Sequence, residues 1–392
     1  VGVLSNNDGC FVSLTRELKD LGVKMGEPYF QVKKVCQKNK VAVFSSNFSL
    51  YTNVSDRVMT TLSQFSPEVE VYSVDEAFMN LTGFDDIERR ARLIKQAVED
   101  HVGIPVGVGV GPTKTLAKIA NHLAKKKKET GGVVVLLDPE EQTRALRQVA
   151  VDDIWGVGRQ YAIKLKNMGL NNALQFRDYP HDKHIKKLFT KVGLQMQEEL
   201  KGYPRFELEL ATKKKKNILC SRSFSEEVKS IEALREAVAH YASQAAEKIR
   251  KQESVCTRVG VFARTSPFRK GPQHRGYETV LMLSPSSDTR KIIRYAFEAL
   301  DQLFKAGYEY KKAGVTLSEL YDQSHSQLSL FENSLDPKGE ALMRAMDAIN
   351  KKEGPGTLRV AACGNTRKAW SMNRNFLSPR YVTGWGQLPR VR

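Results

Sequence analysis

Apolar residues recur along this chain at two spacings, and they alternate in blocks. Helical spacing marks Leu14–Leu21, closed by Gly22, then Tyr51–Phe65, Ile87–Val102 (Ala91, Leu93, Ile94, Ala97, Val98) and Thr113–Lys125. Short β-branched or aromatic runs mark strands at Val41–Phe44, Glu68–Val71, Met79–Leu81, Ile104–Val110 and Val133–Leu137. The Lys-rich stretch Gln31–Lys40 precedes the strand at Val41. Strands and helices that alternate around one acidic centre predict an α/β or α+β catalytic domain.

A second pattern follows. Asp153-Ile154-Trp155-Gly156-Val157-Gly158 opens a helix over Arg159–Met168, with Leu165 inside it, closed by Gly169-Leu170. Gly-hydrophobic-Gly, helix and Gly169 together predict a helix-hairpin-helix. Its glycines let a DNA backbone approach, and its helix N-terminal amides face a phosphate. An ordinary helical turn is the alternative. The basic run Thr212–Asn217 reads as a linker. Beyond it come strand Ile218–Phe224, helix Ile231–Lys251, strands Cys256–Arg264 and Tyr277–Leu283, helix Thr289–Phe304 and strand Tyr308–Leu317, a βαββαβ order that predicts a ferredoxin-like unit. Arg222, Arg258 and Arg264 fall on or beside its sheet, as phosphate contacts or as charges that keep an edge soluble. Past Asp322 the pattern is less globular. Gln327-Leu328-Ser329-Leu330-Phe331 is a short apolar peptide in a polar stretch, either a docking motif or a patch on its own domain.

The chemistry concentrates in Tyr72-Ser73-Val74-Asp75-Glu76-Ala77-Phe78. The flanking runs make it a hairpin with both acids at the tip, where they can turn towards one point. Two carboxylates about 4 Å apart near a surface repel by about 4 kcal/mol. A divalent cation removes that cost, and hard oxygen ligands favour Mg²⁺. A solvated turn with two acids is the alternative. Lys114, Lys118 and Lys125 share one face of the following helix and could hold a triphosphate, or form a solvated face. Gly107-Val108-Gly109-Val110-Gly111-Pro112 is GxGxGP and so not a dinucleotide fingerprint, and Pro112–Thr115 is no P-loop.

Composition narrows the partner. The 392 residues carry a net charge of +18, which points to a polyanion, nucleic acid first. The five cysteines (Cys10, Cys36, Cys220, Cys256, Cys363) form no CxxC pair, so they indicate neither a disulfide framework nor a zinc site, and a reduced cytoplasm fits. No run reaches the roughly 20 apolar residues of a membrane span.

Taken together these segments resemble the Y-family of DNA polymerases, and within it the UmuC-like catalytic subunits of bacterial DNA polymerase V. The motifs are Leu4-Ser5-Asn6-Asn7-Asp8-Gly9-Cys10, Gly22–Gly26, Phe44–Asn47, Ser73–Phe78, Lys114–Lys118, Trp155–Gly158 and Ser378–Tyr381. The resemblance implies an α+β, right-hand polymerase: fingers over 1–50, palm over 51–148, helix-hairpin-helix thumb over 149–212, ferredoxin-like little finger over 218–322, and a tail over 323–392. It implies Asp75 and Glu76 as metal ligands for two Mg²⁺ ions, and Lys125 as a triphosphate contact. Lys19 stands where relatives often carry an arginine; it keeps the charge and loses the bidentate fork. Gly156, Gly158, Gly169 and Arg222 become DNA contacts, and Gln327, Leu328, Leu330 and Phe331 a sliding-clamp peptide.

The implied activity is error-prone translesion synthesis in the SOS response. Its partners would be primer-template DNA, damaged DNA included, dNTP, a processed UmuD-like dimer, RecA and the β sliding clamp, in the cytoplasm at the nucleoid. Val1-Gly2-Val3-Leu4 reads as the end of a strand already under way. The family's first palm strand, with a further metal-binding aspartate and an aromatic residue that excludes ribonucleotides, is therefore expected ahead of Val1. The alternatives are a two-metal nuclease and a catalytically inactive DNA- and clamp-binding fragment.

Overall fold

The computed structural model describes residues 1–211, 213–325, 337–364, 370, 372–380, 382 and 384–388. The clamp-type peptide Gln327–Phe331 lies outside the described residues. The chain divides into two compact units, one of Val1–Asn47 with Lys213–Pro379, the other of Phe48–Thr212 with Arg380–Arg392. Among the described residues no helix is long and apolar enough to cross a membrane.

The first unit opens with β1 (Gly2–Leu4), β2 (Phe11–Leu14), α1 (Arg16–Asp20), α2 (Tyr29–Lys38) and β3 (Val43–Ser45). The sheet order is β2-β1-β3, with β1 antiparallel to β2 and parallel to β3. Leu4, Phe11, Leu18, Val23 and Cys36 form its buried centre, and Tyr29 and Val32 pack against it. Those contacts explain α2. Tyr29, Val32 and Cys36 stand at i, i+3 and i+7, and the other positions, Lys33, Lys34 and Lys38 among them, are exposed.

The second unit contains α3 (Phe48–Leu62), β4 (Val69–Val71), β5 (Ala77–Met79), α4 (Ile87–Val102), β6 (Val108–Val110), α5 (Lys114–Lys126), β7 (Val133–Val135), α6 (Pro139–Gln148), α7 (Arg159–Asn167), α8 (Ala173–Arg177) and α9 (Asp182–Leu200). Strands β4 and β5 pair as an antiparallel hairpin, and β6 and β7 as a parallel pair joined through α5. Caps set the helix starts. The Asp86, Thr113 and Asp138 side chains accept from Arg89 N, Leu116 N and Glu140 N at 3.1, 3.2 and 3.0 Å. One apolar cluster joins α5 to α6–α9 through Leu116, Ile119, Leu146, Leu165, Phe176 and Leu200.

The first unit resumes with β8 (Ile218–Val228), α10 (Ile231–Lys251), β9 (Ser254–Thr265), β10 (Arg275–Ser286), α11 (Thr289–Leu303) and β11 (Tyr310–Asp322). The order is the expected βαββαβ, in an antiparallel sheet β10-β9-β11-β8. Ala-rich α10 and α11 share one core with that sheet: Ala242, Ala245 and Ala246 on one helix, Ala296 and Ala299 on the other, are fully buried. Helix α12 (Pro337–Glu353) is fastened by the Arg250 guanidinium, which donates to both Asp347 oxygens at 2.7 Å.

Residues 373–378 then reach the N-terminal sheet of the same unit. Asn373 N donates to Asn7 Oδ1 at 3.0 Å, Asn375 N to Asp8 Oδ2 at 2.7 Å, and Phe376 N to Ser45 Oγ at 3.0 Å. Ser45 N returns a bond to Phe376 O at 2.9 Å.

Candidate functional site

The acidic segment forms the expected hairpin, with Val69 opposite Met79, Glu70 opposite Phe78 and Val71 opposite Ala77. Its tip is closed by backbone bonds, since Tyr72 N and Ser73 N both donate to Glu76 O at 3.1 and 3.0 Å. Ser73 Oγ donates to Asp75 Oδ1 at 2.7 Å. Asp75 is exposed and Glu76 half-buried. Both line a cavity of about 1280 Å³ whose rim also holds Asn121, Lys118 and Lys125. Apolar side chains, among them Met59, Ile94 and Val108, also line it.

Helix α5 delivers the lysines, and a glycine strand lets it come close. A Cβ on Gly109 would stand 2.1 Å from Asn121 N and 2.4 Å from Ala117 O, both helix backbone. The glycine run 107–111 is therefore a seat for α5.

The lysine stripe divides into three roles. Lys118 Nζ donates to Glu76 Oε1 at 2.6 Å. Lys114 is paired with the carboxylate of Glu70, both side chains under a tenth exposed. It also donates to Glu207 O at 2.7 Å and lies 4.9 Å from the centre of the Phe78 ring. Glu70 in turn accepts from Glu209 N at 2.9 Å, so this pair buckles segment 207–209 onto the hairpin. Lys125 is exposed at the rim and has no ion-pair partner among the described residues. A stripe of three equivalent triphosphate contacts is thus not what α5 presents. Two of the ammonium groups are already neutralised by carboxylates, and Lys125 is left.

The donor set at the hairpin tip is two carboxylates, hard oxygens that fit Mg²⁺ in kind. Among the described residues no group of three or more His, Cys, Asp or Glu could hold a metal ion. Lys118 already balances one of the two charges.

The other sequence-predicted residues are placed as follows. Gly156 has φ +88° and Gly169 φ +81°, left-handed values that favour glycine. Gly158 is the N-cap of α7, with open space where a Cβ would stand. Leu170 N bonds back to Leu165 O at 3.0 Å across Gly169. These three glycines share the second unit with Asp75, Glu76 and Lys125. Lys19, exposed on α1, and Arg222, exposed on β8 with its guanidinium donating to Ser221 O at 2.8 Å, belong to the first unit.

Sequence reasoning missed Glu70. Alternation in Glu68–Val71 favours buried valines, yet Glu70 is 6% exposed and Val71 59%. Lys114, at helical spacing from Lys118, was the available signal for its partner. Trp155 was noted only as part of the glycine motif; here its indole N–H donates to Tyr72 OH at 3.1 Å.

Comparison with known proteins adds the lineage. Residues 1–122 match the impB/mucB/samB family model, 215–330 match that family's C-terminal domain, and 340–391 match a domain of unknown function. Protein UmuC of Salmonella typhimurium is 43% identical over all of this chain and 94% of its own. Protein SamB of Salmonella typhimurium is 40% identical over all of this chain and 93% of its own. DNA polymerase IV of Clostridium acetobutylicum is 26% identical over 89% of this chain and 86% of its own. Among solved structures, a chimeric Y-family DNA polymerase superposes with TM-score 0.62 at 23% identity, covering 80% of this chain and 88% of that one. The fold is that of a Y-family polymerase, and the chain belongs to the UmuC, ImpB, MucB and SamB family.

Proposed function

We propose that this chain is the polymerising subunit of an error-prone translesion DNA polymerase, with residues 1–50 as fingers, 51–148 as palm, 149–212 as thumb and 218–322 as little finger. Full-length identity to UmuC and SamB supports the activity class. The observation that carries the site is the hairpin tip: Asp75 and Glu76 line one cavity with Lys125, whose charge is unneutralised.

Asp75 and Glu76 would hold Mg²⁺, which when bound lowers the pKa of a primer 3′-hydroxyl and neutralises the departing pyrophosphate. The chain's own residues do the rest. Lys125 places an ammonium where triphosphate charge develops. Lys118 balances Glu76 until substrate arrives. The α7 amides behind Gly158, together with Gly156, Gly169 and Arg222, grip the DNA backbone without reading bases, so a distorted template base is tolerated. Lys19 assists at the triphosphate from the fingers. By the same resemblance the working assembly includes a processed UmuD-like dimer, RecA and the β clamp, the last through Gln327, Leu328, Leu330 and Phe331, in SOS mutagenesis at the nucleoid.

The test is primer extension opposite an undamaged base and an abasic site. It uses the protein expressed with whatever the gene encodes ahead of Val1, with clamp, RecA filament and processed partner present. Extension that disappears in Asp75→Ala supports the reading. A folded, DNA-binding protein that never extends a primer leaves only the inactive binding fragment.

A further inference from the structure

The acidic turn is bracketed by two aromatic residues, Tyr72 before it and Phe78 after it, and both rings meet Trp155. The Tyr72–Trp155 and Phe78–Trp155 ring centres are 5.6 Å apart in each case, and Tyr72–Phe78 5.5 Å. Phe206 closes the far side of the indole at 5.7 Å, edge to face. The indole N–H donates to the Tyr72 hydroxyl at 3.1 Å.

The two partners are not equally fixed. Trp155 stands between Ile154 and Val157, which are 2% and 7% exposed in the core shared by α5–α9. The hairpin tip has little burial of its own: Val71, Tyr72 and Val74 are 59%, 45% and 53% exposed. The rigid side therefore positions the loose side. Lys118 ties in at the same place, its ammonium 5.7 Å from the Tyr72 ring centre while it bonds Glu76. On its other flank Trp155 directly precedes Gly156, the left-handed turn that leads into α7.

We propose that Trp155 is a positioning residue for the carboxylate turn: acting through Tyr72, it fixes the direction of Asp75 and Glu76 and couples them to the Gly156–Gly158 turn. This rests on the reading of that turn as DNA-facing and of the two acids as metal ligands. A merely structural ring would contribute packing alone. A coupling residue transmits through the one polar bond, and a reacting group misplaced by about 1 Å can lose roughly a hundredfold in rate.

The experiment compares Trp155→Phe, which keeps a ring and loses the donor, Tyr72→Phe, which loses the hydroxyl, and the double variant. Thermal unfolding should stay near wild type, and primer-template affinity without metal should stay within about twofold. Single-nucleotide incorporation should fall about three- to tenfold in each single variant, the range for one hydrogen bond, and no further in the double. A second readout is independent of turnover. Mg²⁺ titrated into the DNA-bound protein should change tryptophan emission, the change should vanish in Trp155→Phe, and its midpoint should move to higher Mg²⁺ in Tyr72→Phe. Effects that multiply in the double variant, or an unmoved Mg²⁺ midpoint in Tyr72→Phe, overturn the proposal. A wild-type protein that binds Mg²⁺ with this emission change but never extends a primer would instead remove the polymerase reading and leave the positioning role standing.

Discussion

Replacing Gly109 by alanine should dislodge helix α5 from its strand. The added Cβ would meet Asn121 N at 2.1 Å, Ala117 O at 2.4 Å and Asn121 Cα at 2.7 Å. Favourable heavy-atom contacts lie near 3.5–4.0 Å, and none of these three atoms belongs to a side chain that could swing aside. The helix must retreat by about 1 Å or more, at the upper end of overpacking costs, about 3 kcal/mol. Neighbouring glycines supply graded controls. At Gly111 the Cβ would meet Ala117 N at 2.9 Å, again backbone; at Gly107 the nearest atom is the Asn121 side-chain oxygen at 2.8 Å. The expected order of destabilisation is Gly109→Ala, then Gly111→Ala, then Gly107→Ala, the last about 1 kcal/mol or less. At about 2–4 °C per kcal/mol for a domain of this size, Gly109→Ala should melt roughly 6–12 °C below wild type by calorimetry. The retreat would also carry Lys118 off Glu76 and Lys125 from the cavity rim. Gly109→Ala melting within a degree of wild type, or Gly107→Ala proving the worst of the three, would refute the reasoning.

Three further predictions concern other parts of the chain. Lys114→Met should cost about 3–5 kcal/mol by stranding the buried Glu70 carboxylate, and adding Glu70→Gln should recover part of that loss in urea unfolding. The His240 imidazole is held below its usual pKa by burial first, and then by Arg222 and Arg359. The unfolded chain takes up that proton first, so stability is full above about pH 6.5 and falls as pH drops through the lowered folded value. A plot of urea midpoint against pH should be flatter below pH 6.5 in His240→Gln than in wild type. Of the five thiols only Cys10 is half-exposed, and burial pushes Cys256 up to about 12. A thiol reagent should therefore label one fast site in native protein, absent in Cys10→Ser.

What could be read from the sequence was set by local physics. The acidic hairpin, α4, α5, the glycine-flanked α7 and the βαββαβ order all follow from periodicity with breakers at the ends. Helix α2 was obscured because it fully buries one residue, Cys36, while Phe30 and Val35 stay exposed among its lysines and glutamines. The function of the 107–111 glycines was equally hidden. A glycine's missing side chain matters only against the surface that approaches it, and that surface is a helix folded back from residues downstream. The fates of Lys114 and Lys118 depended on carboxylates more than 40 positions away, 44 for Glu70 and 42 for Glu76. No window along the chain contains such pairs.

The bonds from residues 373–378 to the N-terminal sheet also set a timetable for biogenesis. Asn7 is 366 residues from its partner Asn373, and Asp8 is 367 from Asn375. At about 5–20 residues per second, the ribosome makes the second partner roughly 20–70 s after the first. The β1–β3 sheet, made before β8–β11, is thus completed after it, and until then Asp8, Ser45 and the Tyr29 ring lack the contacts that Asn375 and Phe376 later give them. A nascent chain stalled before residue 373 would hold a folded β8–β11 sheet together with an unfinished β1–β3 sheet. That sheet should be the preferred target of chaperones and proteases during synthesis.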